Sequence, residues 1–278
     1  MAWFDIQKIK VKRVLIPSKL PGCNFVINPY VGCRHGCQYC YAIFMSRKNH
    51  QNEEWGEWVD VKINAPDILK KDLARLNSKN AGSILLSSVT DPYQGIEAKY
   101  QITRKCLEVL ADFSYEGEIS ILTKSHLVLR DIDLFKKLKD IEVGLTVTSI
   151  GDPISQAIES FAPPPNLRIQ ALKKLNRQGI KTYAFVGPLL PHFVEKPQNL
   201  GQLFSDLEDA QVDYVFIEHI NLSPYIKKRL YRFLAKELPK ELPKFEKADS
   251  LDYQEKLDIL LKEILTRHKL KVRGIIRH

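Results

Sequence analysis

The chain has 278 residues, 44% of them hydrophobic, enough to bury the core of one large domain. Lys and Arg number 42 against 33 Asp and Glu, and the resulting charge of +9 is open between a polyanionic partner such as nucleic acid and a simple solubility surplus. Five cysteines, three of them clustered, argue against a disulfide framework and for a reducing compartment; with no apolar run of membrane-span length and no secretory h-region after Met1, a cytoplasmic protein without a membrane partner is expected.

Residues 1 to 23 alternate basic and apolar side chains, as in Lys8-Ile9-Lys10-Val11-Lys12-Arg13-Val14, the pattern of a strand or extended arm with one charged face. Phe25-Val26-Ile27 is a short apolar strand leading into the stretch from Asn28 to Ala42, where Cys33, Cys37 and Cys40 stand at C-x3-C-x2-C spacing. Gly32 and Gly36 supply tight turns, so three thiolates can converge on one metal centre from a single loop. Spacing alone leaves two metals open. One is a four-iron cubane with an iron left free for a non-protein ligand; the other is structural zinc with His35 or Cys23 as the fourth ligand. Cys23 is also read as a hydrogen-atom donor or a packing residue. Trp55 and Trp58 either stack on bases or pack against the domain wall.

Pro66 opens an amphipathic helix carrying Leu69, Leu73 and Leu76, with Asn64 as its cap. Strand 83–87 follows and leads to Ser88-Val89-Thr90-Asp91-Pro92. Helix 102–113 places Cys106 on its apolar stripe as a core residue. Strand 119–122 ends in Thr123 and Lys124, and a helix with Leu134, Phe135 and Leu138 comes next. Strand 143–147 ends at Thr148 and Ser149; Pro163-Pro164-Pro165 then precedes a helix bearing Leu167, Ala171, Leu172 and Leu175, closed by Gly179. Strand 180–186 ends at Gly187-Pro188, helix 199–210 follows, and strand 212–217 ends at Glu218-His219. Six strands alternating with helices predict an α/β fold, a partial (β/α)6 barrel of parallel strands over residues 24–221. Residues 222–278 read as a helical extension packed on that core. It holds a basic aromatic segment, Tyr225 to Phe233, that is a candidate nucleic-acid contact or an exposed amphipathic helix; a helix with Leu257, Leu260, Leu261, Ile264 and Leu265; and a basic tail that forms a last strand or arm.

The cysteine loop, with Tyr39 in its aromatic place, resembles the radical S-adenosylmethionine superfamily. Asn28-Pro29-Tyr30, Cys40-Tyr41-Ala42, the run from Ser88 to Tyr93, Leu122-Thr123-Lys124 and Val186-Gly187-Pro188 resemble the branch that contains spore photoproduct lyase. The resemblance implies a [4Fe-4S] cluster on Cys33, Cys37 and Cys40, S-adenosyl-L-methionine on the open iron, and its one-electron cleavage to methionine and a 5′-deoxyadenosyl radical. It further implies a reducing partner such as flavodoxin or ferredoxin. Ser88, Lys124, Thr148 and Ser149 would hold the methionine and ribose portions, Thr90 and Asp91 would lie near the methionine amino group, and Tyr39 and Val186 would flank the adenine. Lys124 suits the carboxylate by charge. The lyase carries a cysteine hydrogen-atom donor where Ser88 stands here, so its thymine-dimer chemistry is not implied; Tyr41 is the candidate catalytic hydrogen relay. Glu218, His219 and Asn221 are placed to reach a substrate. Nucleic acid or a nucleotide is the leading substrate class, with a peptide or small metabolite also compatible. A non-enzymatic, zinc-stabilised nucleic-acid-binding protein is the alternative of a different class.

Overall fold

Apolar runs bounded by turn residues become eleven strands among the described residues of the computed structural model, which are 4–47, 50–76 and 82–278; Met1 to Trp3 of the expected arm lie outside them. The strands are β1 (Asp5–Ile9), β2 (Leu15–Pro17), β3 (Phe25–Ile27), β4 (Tyr30–Val31), β5 (Trp58–Lys62), β6 (Ile84–Leu86), β7 (Ile119–Thr123), β8 (Ile141–Thr146), β9 (Lys181–Leu189), β10 (Tyr214–His219) and β11 (Val272–Ile276). Eight of them form one sheet in the order β2-β3-β6-β7-β8-β9-β10-β11, and β1, β5 and β4 form a second, smaller one. In the larger sheet every pairing from β3 across to β11 is parallel and only β2, at the edge, is antiparallel; in the smaller one β1 pairs parallel and β4 antiparallel to β5. The two end strands, β2 and β11, do not pair, so the curved sheet is an open, partial barrel.

All six expected barrel strands are present as β3 and β6 to β10, but their ends move. β9 runs on through Gly187 and the cis Gly187–Pro188 peptide to Leu189, and β10 ends with Glu218 and His219 inside it. The tail contributes a seventh parallel strand, β11, against β10.

Helices cover the sheet because their apolar stripes match it. Ala65–Ala74 buries Leu69 and Leu73, and Ile102–Asp112 buries Cys106, Leu107 and Leu110, each large side chain worth about 1.5–3 kcal/mol on burial. Asn64 does not cap the first of these. Its amide instead pairs with both backbone groups of Val11, at 2.9 Å each, tying the N-terminal arm to the core. The helix expected around Leu134 is one turn, Ile132–Phe135, preceded by 3₁₀ turns over His126–Asp131. Gly144 is required at the middle of β8 because the Tyr183 ring crosses it; a Cβ there would lie 2.2 Å from the ring. That ring reaches over to donate to the Ile121 carbonyl at 3.2 Å, filling the space on that face of the sheet.

Candidate active site

The cysteine loop lies between β4 and the 3₁₀ helix Tyr41–Arg47. Its path depends on two glycines at positive φ, Gly32 (81°) and Gly36 (59°). Gly32 lies flat against Trp58: a Cβ would come within 2.7 Å of both its carbonyl oxygen and its ring. Trp58 is therefore a packing residue; it meets Trp55, which also lines the cavity described below, edge to face at 5.8 Å. The loop is held from three sides. Thr90 donates to the Gly32 carbonyl at 2.5 Å, Gln94 accepts from the Arg34 N–H at 2.8 Å, and Arg229, on helix Pro224–Glu237, donates to the carbonyls of Cys37 (2.7 Å), Gly36 (3.1 Å) and Trp55 (3.1 Å).

That helix is not the exposed basic strip its composition suggests. Arg229 faces the loop, Lys227 pairs with Asp249 at 2.5 Å, Tyr231 donates to the Phe245 carbonyl, and Tyr225 lines the cavity described next; Lys228 and Arg232 remain on the surface.

A cavity of about 470 Å³ opens at the carboxyl ends of the parallel strands, the rim where such sheets place ligands. Cys33, Cys37 and Cys40 form one wall. Ser87, Ser88 and Asp91 come from beyond β6, Thr123 and Lys124 from β7, Thr146 from β8, Phe185, Gly187 and Pro188 from β9, and Glu218 from β10. Burial pushes all three thiols up, Cys37 to about 12 even with the Lys124 ammonium opposing it, so a metal's charge is needed to hold them as thiolates. Three sulfurs facing an open cavity fit a cluster that keeps one iron free. The candidate fourth ligands for zinc are engaged elsewhere. The ring nitrogens of His35 face Asp91 (3.1 Å) and the Phe161 carbonyl (3.3 Å), and the Cys23 thiol donates to the Phe25 carbonyl at 2.9 Å.

Across the cavity, the Lys124 ammonium donates no hydrogen bond among the described residues. Its nearest anion is Glu159 at 4.0 Å, and it lies 5.7 Å from the Tyr39 ring. Burial disfavours its charge, but Cys37 and Glu159 more than offset this and raise its pKa, so it is a protonated cation. Asp91 is not free to meet a ligand's amine. One oxygen accepts from the Thr123 hydroxyl (2.6 Å) and the Tyr93 N–H, the other from the Lys124 N–H (2.8 Å), with His35 beside it. Burial alone would raise its pKa, but His35 and these donors hold it at about 2. Asp91 thus locks the cysteine loop to the end of β7. Thr90 lines the cavity as well, with its hydroxyl given to the Gly32 carbonyl. Ser88 is fixed through Asn28, whose amide oxygen accepts from the Ser88 N–H at 2.9 Å, and the buried Ser87 hydroxyl has no hydrogen-bond partner among the described residues. Tyr41, 47% exposed, lines the cavity and donates to the Ser88 carbonyl.

Four expected site residues do not reach the cavity wall. Val186 points into the core, because successive strand residues face opposite ways, and its neighbour Phe185 takes the place. Thr148 and Ser149 are buried beyond β8; the Ser149 hydroxyl accepts from the Gly151 N–H at 3.2 Å, and Thr146 lines the cavity instead. His219 is drawn outward to Asp258 at 3.0 Å, while Glu218, Asn221 and His278 gather at the mouth. Sequence reasoning missed Glu159 and Arg168. Glu159 accepts from the Tyr39 hydroxyl and meets Arg168 at 2.5 Å; burial opposes its ionisation, but Arg168 and Lys124 hold it at about 2. Arg168 is 1% exposed on a stripe with Ala171, Leu172 and Leu175. A charge on an apolar stripe was the available signal.

Comparison with known proteins agrees with this geometry. A sequence model described as the radical SAM superfamily matches residues 27–201. An uncharacterised protein of Methanocaldococcus jannaschii is 42% identical over 218 residues, 78% of each chain. An uncharacterised protein of Mycobacterium tuberculosis is 28% identical over 224 residues, 77% of this chain and 64% of its own length. Among solved structures, a spore photoproduct lyase complexed with dinucleoside spore photoproduct superposes with a TM-score of 0.71 at 15% identity, over 97% of this chain and 81% of the lyase. Streptococcus suis SuiB bound to its precursor peptide SuiA gives 0.60 at 13% identity, over 91% of this chain and 48% of SuiB. At these identities the likeness to solved structures is one of fold.

Proposed function

The chain belongs to the radical S-adenosylmethionine superfamily and is a radical S-adenosylmethionine enzyme, and we propose that it carries a [4Fe-4S] cluster on Cys33, Cys37 and Cys40 and abstracts hydrogen from a nucleic acid or nucleotide. One observation carries this reading: three cysteines and the Lys124 ammonium, which donates no hydrogen bond among the described residues, line the same cavity at the carboxyl rim of the parallel sheet. When bound, the cluster would supply the electron that cleaves S-adenosylmethionine.

The chain's own residues bind and orient. Lys124 meets the cofactor's carboxylate with a charge-assisted hydrogen bond. The unpartnered Ser87 hydroxyl and the Ser88 hydroxyl reach its polar portion, and Phe185 and the Tyr39 ring flank its adenine. Glu159 fixes the Tyr39 ring by taking its hydroxyl hydrogen bond. Leu122, Val89 and Pro188 give the cavity apolar walls that exclude water. Tyr41, beside Cys40 and lining the cavity, would serve as the chain's own hydrogen-atom relay through its hydroxyl. Glu218, Asn221 and Tyr225 at the mouth receive the substrate. The nucleic-acid class is supported by the charge of +9 and by the fold shared with a lyase solved with a dinucleoside.

The test is anaerobic reconstitution with iron and sulfide, reduction with dithionite in the presence of S-adenosylmethionine, and assay for 5′-deoxyadenosine. Formation by the wild-type protein and loss in Cys37→Ala is the expected result. No cleavage, with stoichiometric zinc in protein purified without added metal, would instead make it a zinc-stabilised binding protein.

A further inference from the structure

Arg229 is a half-buried cation without a matching acid among the described residues. Its three hydrogen bonds go to backbone carbonyls, and among the described residues no carboxylate lies within ion-pair distance of it. Burial disfavours its charge, and the groups that favour it are Cys40, then Glu54 and Cys37. Glu54 is exposed and faces Arg232 at 3.7 Å. Among the described residues the Arg229 Nε–H is buried with no hydrogen-bond partner, and so is the indole N–H of Trp55, whose ring packs with Cys40; both side chains favour the charged form of Cys40. Orphaned buried donors are rare and call for an acceptor. Two of them, one carrying a full charge, meet beside one cysteine.

Resting on the cluster reading above, we propose that Arg229 is the positioning residue and counter-cation of the iron–sulfur centre, with Trp55 as a second N–H donor, and that it raises the centre's reduction potential. Reduction adds one electron, from dithionite in the assay, to a centre whose thiolates are already negative. A fixed cation nearby stabilises the product of that step more than its reactant. The carbonyl contacts orient the guanidinium; the charge does the tuning. The helix of residues 224–237 thereby takes part in the cysteine loop's chemistry as well as its packing.

The experiment compares wild type with Arg229→Met, Arg229→Gln and Arg229→Lys, each reconstituted anaerobically, by iron content and by a mediated potential titration followed by electron paramagnetic resonance. In the Met and Gln variants the ratio of reduced to oxidised cluster at fixed potential should fall at least tenfold, 59 mV for a one-electron couple. The Lys variant, which keeps the charge and loses the fork, should stay within threefold of wild type. Trp55→Phe should shift the same way by less. If the Met variant holds no iron while the Lys variant holds a full cluster, the charge assignment is likewise supported. A Met variant with full iron and the wild-type midpoint overturns it, as does loss of iron from both Met and Lys variants. Wild-type protein that takes up no iron–sulfur cluster overturns this and the proposed function together.

Discussion

Replacing Lys124 with alanine removes one charge from the cavity while leaving the cysteine loop intact, because the ammonium donates no hydrogen bond to that loop. The side chain is 15% exposed, so a carboxylate bound to it is largely shielded from water. A hydrogen bond to a charged group in such a place is worth about 1.5–3 kcal/mol, which converts to a roughly ten- to hundredfold rise in the Kd for S-adenosylmethionine. Collateral damage should be small. Glu159, the ammonium's nearest anion at 4.0 Å, keeps its closer partner Arg168 at 2.5 Å and is not left uncompensated. The assay is equilibrium dialysis or calorimetric titration of S-adenosylmethionine into oxidised, reconstituted protein, with no reductant so that the ligand is not consumed. Full iron content in the variant with a Kd within threefold of wild type would refute the assignment of Lys124 to the cofactor carboxylate.

Gly32→Ala meets two obstacles at once, a φ of 81° and a Cβ 2.7 Å from Trp58; the left-handed backbone alone costs about 1–2 kcal/mol, so a lower melting temperature and poor iron uptake are expected, and a wild-type melting curve would count against the packing described. Asp91, held at about 2 by its partners against an ordinary value of about 3.9, contributes about 2–3 kcal/mol. Its folded pKa is depressed, so that stability is present above about pH 4 and lost as pH falls toward 2. Asp91→Asn should flatten the decline between those limits in urea unfolding of the metal-free protein, and an unchanged slope would remove Asp91 from the linkage. Glu159 has the same sign and leaves the residual slope.

The barrel rhythm was readable because each unit repeats a local pattern, an apolar run with polar residues at its carboxyl end followed by a 3.6-period stripe. Lys124 and the cysteines fall at such ends, and the cavity collects them. Pairings made across long stretches of chain were not readable. Asn64 looks like a helix cap in its own neighbourhood, yet its partner is Val11, 53 residues away. Arg229 sits in a run whose neighbours are basic and surface-like, and nothing local distinguishes a guanidinium aimed at carbonyls 192 residues back from one aimed at water. β11 is short and mixed in polarity, so its strand character comes from β10 offering an edge. Val186 failed on direction alone: the right strand was read, and the alternate residue faces the cavity.

The 192 residues between Cys37 and Arg229 also set an order of events. At ribosomal speeds of about 5–20 residues per second, the cysteine loop is exposed for roughly 10–40 s before the helix that grips its backbone has been made. During that interval the loop has its local turns and the contacts from β5 and β6, but no clasp. The nascent loop therefore passes through an open stage, and the arrival of a distant segment late in translation closes it.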